Sequence, residues 1–255
     1  PEATKALLTP ATPATRGLAR AFTSATYGRI WDLDCLRAVQ RVNSDGRWQI
    51  PVASYASSDP RLATTLYASD HDSFMFLVDP NRPIEVDGGT QVYRGFIVFN
   101  SEVGDRTFGL STFLYVRVCD NRIIWGARDV DSLLIRHTKN GPYRFDSKAI
   151  PVLRQFAEAS DRPVVAQIEA ARTTFLVSGD SPDELKDYQR FLKNAGFTEP
   201  AIDAAEQYVQ SLDRGYNVWD TVQGLTSYAH SLAYADSRVA VEQRAGKLLD
   251  AVRVN

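Results

Sequence analysis

Apolar residues recur with a helical period over residues 30–42, where Trp31, Cys35, Leu36, Val39 and Val42 share one stripe. The spacing predicts a first helix there, and Asn43-Ser44-Asp45-Gly46 predicts its end. Residues 47–55 alternate as a strand would and run into the Ser57-Ser58-Asp59-Pro60 turn. Two short strands are expected at 63–68 and 74–78, before Pro80 and Pro83 break the pattern. The strongest β signal follows: 91–100 (QVYRGFIVFN) and 107–119 (TFGLSTFLYVRVC) are rich in aromatic and β-branched residues, with Gly104 in the turn between them. Shorter strands are predicted at 122–125 and 132–137.

After Gly141-Pro142 the period changes to that of helices. Residues 149–177 read as a long helix, interrupted or kinked near Pro163, and Ser181-Pro182 opens another that Gly196 closes. Further helices are expected at 199–212, 218–232 and 238–252. No strand–helix–strand alternation is visible, which argues against a doubly wound sheet. The expected class is α+β: an N-terminal helix plus an antiparallel β-meander sheet, followed by an α-helical C-terminal half. The expected organisation is a flexible lead-in over 1–20, rich in Pro, Ala and Thr, a β-rich core over 21–148, and a helical region over 149–255 packed on or beside that core.

Composition narrows the class of protein. The 255 residues are 44% hydrophobic and 24% charged, as in ordinary soluble domains. No apolar run approaches the roughly 18 residues that span a bilayer. The N-terminus lacks the apolar segment of a secretory signal, so a cytoplasmic protein without a membrane partner is expected. Cys35 and Cys119 match no zinc spacing and sit among apolar residues, as buried reduced thiols do.

The net charge of −2 excludes a globally basic nucleic-acid coat, but its distribution is uneven. Residues 106–148 hold eight bases (Arg106, Arg117, Arg122, Arg128, Arg136, Lys139, Arg144, Lys148) and four acids (Asp120, Asp129, Asp131, Asp146). Such a stretch is either an electrostatic footprint for phosphate or a set of solvated strand faces. Aromatic residues Tyr93, Phe96, Phe99, Phe108, Phe113 and Tyr115 interleave with Arg94, Arg106 and Arg117. Rings and guanidinium groups on one sheet face would suit stacking and backbone contacts to single-stranded nucleic acid, although a sheet also packs most of its rings into its core. Tyr93 and Tyr115 are the candidates for exposure.

No phosphate-binding glycine loop, dinucleotide fingerprint, nucleophile elbow or zinc-protease helix occurs. Asp70-His71-Asp72 contains metal-ligand types, but neighbouring residues on a strand face opposite ways, and a polar turn accounts for them better. Asp129 and Asp131 would share a strand face and could bind Mg²⁺ or exchange protons; without a third ligand they read first as a polar loop. His230 falls on a helix as a structural residue. No catalytic residue, metal or cofactor is assigned.

The run Asn100-Ser101, then Arg117-Val118-Cys119-Asp120-Asn121, then Arg136-His137-Thr138, resembles the phage/plasmid-like family called domain of unknown function nine-three-two. Arg122 stands where that family has glycine. Asn217-Val218-Trp219-Asp220, Leu225-Thr226 and Tyr228-Ala229 resemble its helical C-terminal signature. The resemblance covers about 21–252 and implies a mobile genetic element, with a role in DNA metabolism or host interaction and no implied activity. A helix, a β-meander and a packing helix also resemble the core of single-strand annealing proteins of the Rad fifty-two type, an analogy of fold alone. Under it, Arg94, Arg106, Arg117, Arg122, Arg136 and Lys139 would follow phosphates. Tyr93 or Tyr115 would stack on bases, and His137 would orient the strand end or touch phosphate. Asn100, Ser101 and Asn121 are expected to stabilise turns.

The leading expectation is therefore a non-enzymatic single-stranded-DNA-binding or annealing protein, working in recombination or replication as a homo-oligomer or ring. The alternatives are an interaction or inhibitor module directed at a host protein, and a metal-dependent nuclease centred on Asp129 and Asp131.

Overall fold

The structure, a computed structural model, describes residues 4–9, 11–13, 16–51, 66–68, 71–86, 89–116, 121–123, 132–179 and 181–252. Two antiparallel strands come first, β1 (Thr4–Thr9) and β2 (Leu18–Ser24). They pair from Thr4↔Ser24 to Thr9↔Leu18, with a bulge between Leu7 and Leu8. The expectation of a lead-in without regular structure over 1–20 is thus corrected to a two-stranded ribbon. Pro13 lies in the turn between the strands, where a missing N–H costs the ladder nothing. The abundance of Pro, Ala and Thr concealed the pairing.

Helix α1 (Asp32–Val42) buries Cys35, Ala38 and Val39. Burial and the neighbouring Asp32 and Asp34 carboxylates push the Cys35 thiol well above its ordinary range, so it remains protonated. The central sheet follows: β3 (Leu66–Ala68), β4 (Ser73–Val78), β5 (Ile84–Val86), β6 (Thr90–Asn100), β7 (Phe108–Val116), β8 (Asn121–Ile123) and β9 (Ser132–Ile135). All its pairings are antiparallel, in the order β3-β4-β6-β7-β8, with β5 also on β6 and β9 also on β7. In the expected strand over 47–55, Gln49 makes an isolated bridge to Val78, and 52–55 lie outside the described residues.

Six helices complete the fold: α2 (Gly141–Glu158), α3 (Arg162–Thr173), α4 (Pro182–Asn194), α5 (Glu199–Leu212), α6 (Val218–Ser231) and α7 (Ala235–Asp250). A small pair, β10 (Phe175–Val177) and β11 (Tyr216–Asn217), joins the segments before α4 and α6. Two side-chain caps set helix starts: the Ser181 hydroxyl accepts from the Glu184 N–H, and the Asn217 side chain from the Asp220 N–H at 2.8 Å. The helical stretch expected over 149–177 is interrupted at residues 159–161, close to Pro163, which falls in the first turn of α3, and the stretch is thereby divided into α2 and α3.

Alternation along β6 divides the core. Phe96 and Val98 join Phe108, Leu110 and Ile135 beneath α1 and α2, against Ile30, Phe145, Leu153 and Phe156. Val92, with Ile84, Leu114 and Val116, packs on the later helices through Ile168, Trp219 and Leu249. The odd positions Tyr93 and Ile97 lie on the opposite face with Phe74, Phe76, Phe113, Tyr115 and Val239. No helix among the described residues is long and apolar enough to cross a membrane.

Candidate nucleic-acid interface

The segment joining β2 to α1, residues 25–31, is fixed against the segment joining β9 to α2. Gly28 makes the contact possible, because a Cβ there would lie 2.3 Å from the Thr138 carbonyl carbon and 2.4 Å from the Lys139 nitrogen. The Gly28 N–H donates to the His137 carbonyl at 3.2 Å. Gly141 also packs close against Ile30, whose Cδ1 would lie 2.5 Å from a Cβ there. The start of α1 is anchored as well: a Glu102 carboxylate oxygen accepts from the Asp32 N–H at 3.0 Å, while the Asn100 side chain donates to Asp32 and to the Ile30 carbonyl. The Ser101 hydroxyl accepts from the Asp105 N–H and donates to the His71 carbonyl. Asn100 and Ser101 thus hold a turn and a helix end, in keeping with short polar side chains that bond nearby backbone.

On this frame four side chains form a column. The Tyr27 and His137 rings stack with centroids 5.1 Å apart, and the Tyr27 hydroxyl is 2.7 Å from His137 Nδ1. The Arg29 guanidinium lies 5.7 Å from the Tyr27 ring centre and 5.7 Å from that of Trp31. It also donates to the Glu102 backbone carbonyl. Burial lowers the His137 pKa; the adjacent Arg106 backbone opposes this, but no hydrogen bond of ordinary geometry reaches Nε2, so the neutral ring is favoured. Burial also raises the Tyr27 pKa, partly offset by Arg29, which keeps the phenol protonated. The consistent arrangement is a Tyr27 hydroxyl donating to Nδ1 of a neutral imidazole.

Around the column the surface is basic. Arg136, Lys139 and Arg144 are exposed and have no ion-pair partner among the described residues. Among the described acids nearby, Glu102 pairs with Arg20 at 3.2 Å, Asp34 with Arg37 at 3.7 Å and Asp146 with Arg41 at 2.7 Å, while Asp105 lies 3.1 Å from His71 Nδ1. Trp31 is 46% exposed and Tyr143, in the first turn of α2, is 77% exposed. Neutral stacked rings, an aromatic surface and cations without ion-pair partners among the described residues suit a ligand that carries anions and flat faces.

Of the residues expected to meet nucleic acid, Arg136, His137 and Lys139 come together here. Tyr93 and Tyr115 do not: each is only 6% exposed, in the core on the odd face of β6, which corrects their assignment as stacking residues. Arg94 is also corrected. It is 2% exposed and donates to Asp161 Oδ1 at 2.7 Å and to the Ala159 and Ser160 carbonyls, holding the α2–α3 connection. Arg106 pairs with Asp72 at 3.3 Å and covers the Phe74 ring at 4.9 Å, leaving it little freedom to follow a phosphate. Arg122 contributes its backbone to β8 opposite Tyr115. Arg117, Cys119, Asp70, Asp129 and Asp131 lie outside the described residues. Within the described residues, no three His, Cys, Asp or Glu side chains are placed to hold a metal.

Tyr27, Arg29, Trp31 and Tyr143 had no place in the sequence expectation. Trp31 fits the helical apolar stripe by spacing, yet it is the residue preceding α1, with extended backbone (φ −82°, ψ 147°). The available signal was the dense aromatic–basic run Tyr27-Gly28-Arg29-Ile30-Trp31. No family model matches the chain, and neither a curated protein nor a solved structure does.

Proposed function

We propose that this chain is a mobile-element protein that binds single-stranded DNA in the cytoplasm of its host cell, as a non-enzymatic binding or annealing factor in recombination or replication. The observation that carries this reading is the surface where Arg136, Lys139 and Arg144 have no ion-pair partner among the described residues, beside the Trp31–Arg29–Tyr27–His137 column. Backbone phosphates would meet the cations, and binding would be sequence-tolerant and steeply salt-dependent. With a net charge of only −2, attraction depends on this local field rather than on the charge of the whole molecule.

The test is fluorescence-anisotropy titration of labelled single-stranded and duplex DNA at two salt concentrations. A preference for single strands that weakens with salt is expected. Arg136→Glu with Lys139→Glu should lower affinity at least 10-fold and reduce the salt slope by about two, one per phosphate contact. Unchanged affinity in that double variant overturns the assignment of the site. Absence of binding by the wild-type chain at low salt overturns the function and moves the reading to a module for a host protein.

A further inference from the structure

We infer that Trp31 and Tyr143 form a stacking platform for unpaired nucleobases, so that the site reads exposed base faces as well as phosphates. This inference rests on the single-stranded-DNA reading above and deepens it. The two rings belong to different elements, but the Ile30–Gly141 contact brings the elements together. A Cβ on Gly141 would sit 2.5 Å from Ile30 Cδ1. Trp31 follows one partner of that contact and Tyr143 lies two residues beyond the other, so their backbones flank one seam.

Neither ring is needed by the core under α1. The buried stripe of that helix is Cys35, Ala38 and Val39, and Trp31 precedes the helix with nearly half its surface in water. Its backbone is nonetheless fixed, since its carbonyl accepts from the N–H groups of Asp34 at 2.9 Å and Cys35 at 3.1 Å. Arg29, itself tied to the Glu102 carbonyl, stands against the indole ring and limits its rotation. An aromatic ring held in place before a ligand arrives loses little conformational freedom on binding. Every base presents a flat face, so stacking adds affinity without selecting sequence, whereas bases stacked in a duplex are not available to it.

Charge complementarity identifies the ligand. The seam is flanked by Arg136, Lys139 and Arg144, exposed and unpaired among the described residues, which suit a ligand whose flat groups repeat along an anionic chain. An apolar peptide would gain nothing from these cations, and a phosphate-rich ligand without bases would gain nothing from the rings.

The experiment compares two labelled 15-mers of equal charge, oligothymidylate and its abasic counterpart, against the full chain and its variants. The wild-type chain is expected to bind oligothymidylate more tightly. Trp31→Ala should weaken oligothymidylate binding on the order of 10-fold and leave the abasic strand unchanged; Tyr143→Ala should act in the same direction. Trp31→Phe should retain most of the affinity, which separates stacking from loss of fold, and Arg136→Glu should weaken both strands alike. Equal affinity of the wild-type chain for the two strands, or a Trp31→Ala loss shared by both, overturns the platform while the DNA-binding reading stands. Failure of the wild-type chain to bind either strand at low salt removes both.

Discussion

His137 shows how a residue's surroundings change its role. Expected to orient the strand end or touch phosphate, it stacks with Tyr27, with its Nδ1 2.7 Å from the phenol and its pKa lowered by burial. Because the folded value falls below the ordinary 6.5, the unfolded chain binds more protons between the two values. The stability this neutral ring contributes is therefore fully present above about pH 6.5 and is lost as pH falls through the lower folded value. Urea midpoints should decline between pH 7 and pH 5, and His137→Phe, which keeps a ring against Tyr27 but cannot titrate, should flatten that decline. At neutral pH the variant should also be less stable, by about 1 kcal/mol for the lost hydrogen bond, and this deficit should narrow as pH falls. An acid-side slope as steep in His137→Phe as in wild type would refute this account. At neutral pH the positive charge of this surface is carried by Arg136 and Lys139, not by this imidazole. Residue by residue, sequence reading placed the candidate site only partly. Arg136, His137 and Lys139 are consecutive enough to be found, but Tyr93 and Trp31 exchanged roles. Alternation in β6 puts Tyr93 in a core on the sheet's second face, while backbone extension before α1 turns Trp31 outward.

At the scale of elements, the long regular segments were legible and the short or tertiary-determined ones were not. The helix expected over 199–212 is α5 to the residue, and the strand expected over 91–100 is β6 plus Thr90. Both have strong periods that packing reinforces. Ile84–Val86 escaped notice because three residues between Pro83 and Asp87-Gly88-Gly89 carry no period, and the ribbon because its composition looked disordered. The division between α2 and α3 has its cause in β6: Arg94 reaches across to the residues after Glu158, and it is not alone. The Arg47 and Arg82 guanidinium groups both donate to the Ala157 carbonyl, at 3.2 and 2.6 Å, so three cations face the negative end of the α2 dipole. Carbonyls that a helix end would leave unpaired are satisfied by side chains from elsewhere in the chain. Removing Arg94 leaves the Ala159 and Ser160 carbonyls and Asp161 without this donor. Arg94→Ala should cost about 3 kcal/mol in urea unfolding, as breaking a buried charged network does. Arg94→Lys should recover less than half, since one ammonium cannot copy a planar fork spread over three acceptors. DNA affinity of the folded Arg94→Lys protein should be unchanged, because this guanidinium is remote in role from the basic surface. A loss under about 1 kcal/mol in Arg94→Ala would show that the α2–α3 connection is held by other contacts.

For the whole molecule, the feature least explained by a single chain is the β1–β2 ribbon. Two strands alone are marginal in water, and both outer edges of this pair carry backbone groups that no third strand satisfies among the described residues. Its ties to the body are at the base, where Lys5 Nζ donates to the Tyr27 carbonyl, and at the bulge, where Arg20 pairs with Glu102. Between and beyond these ties, Phe22 is 71% exposed and Leu18 is 65% exposed, with Leu8 also exposed. An apolar ribbon of this kind is what a homo-oligomer would cover, and it stands beside the loop that carries Tyr27, Arg29 and Trp31. Self-association would thus repeat the basic, aromatic surface along one DNA strand and raise its effective affinity without any new contact to DNA. Light scattering coupled to size exclusion should give the wild-type chain a mass of more than one copy at micromolar concentration. Leu18→Asp with Phe22→Asp should give a single copy with an unchanged circular-dichroism spectrum, because these side chains support no core in the monomer. Its affinity for a 15-mer, long enough for about one copy, should stay close to wild type, while binding to a strand several times longer should lose steepness. A wild-type chain that scatters as a monomer, with and without the long strand, would leave the ribbon without its proposed partner and favour a host protein in that place.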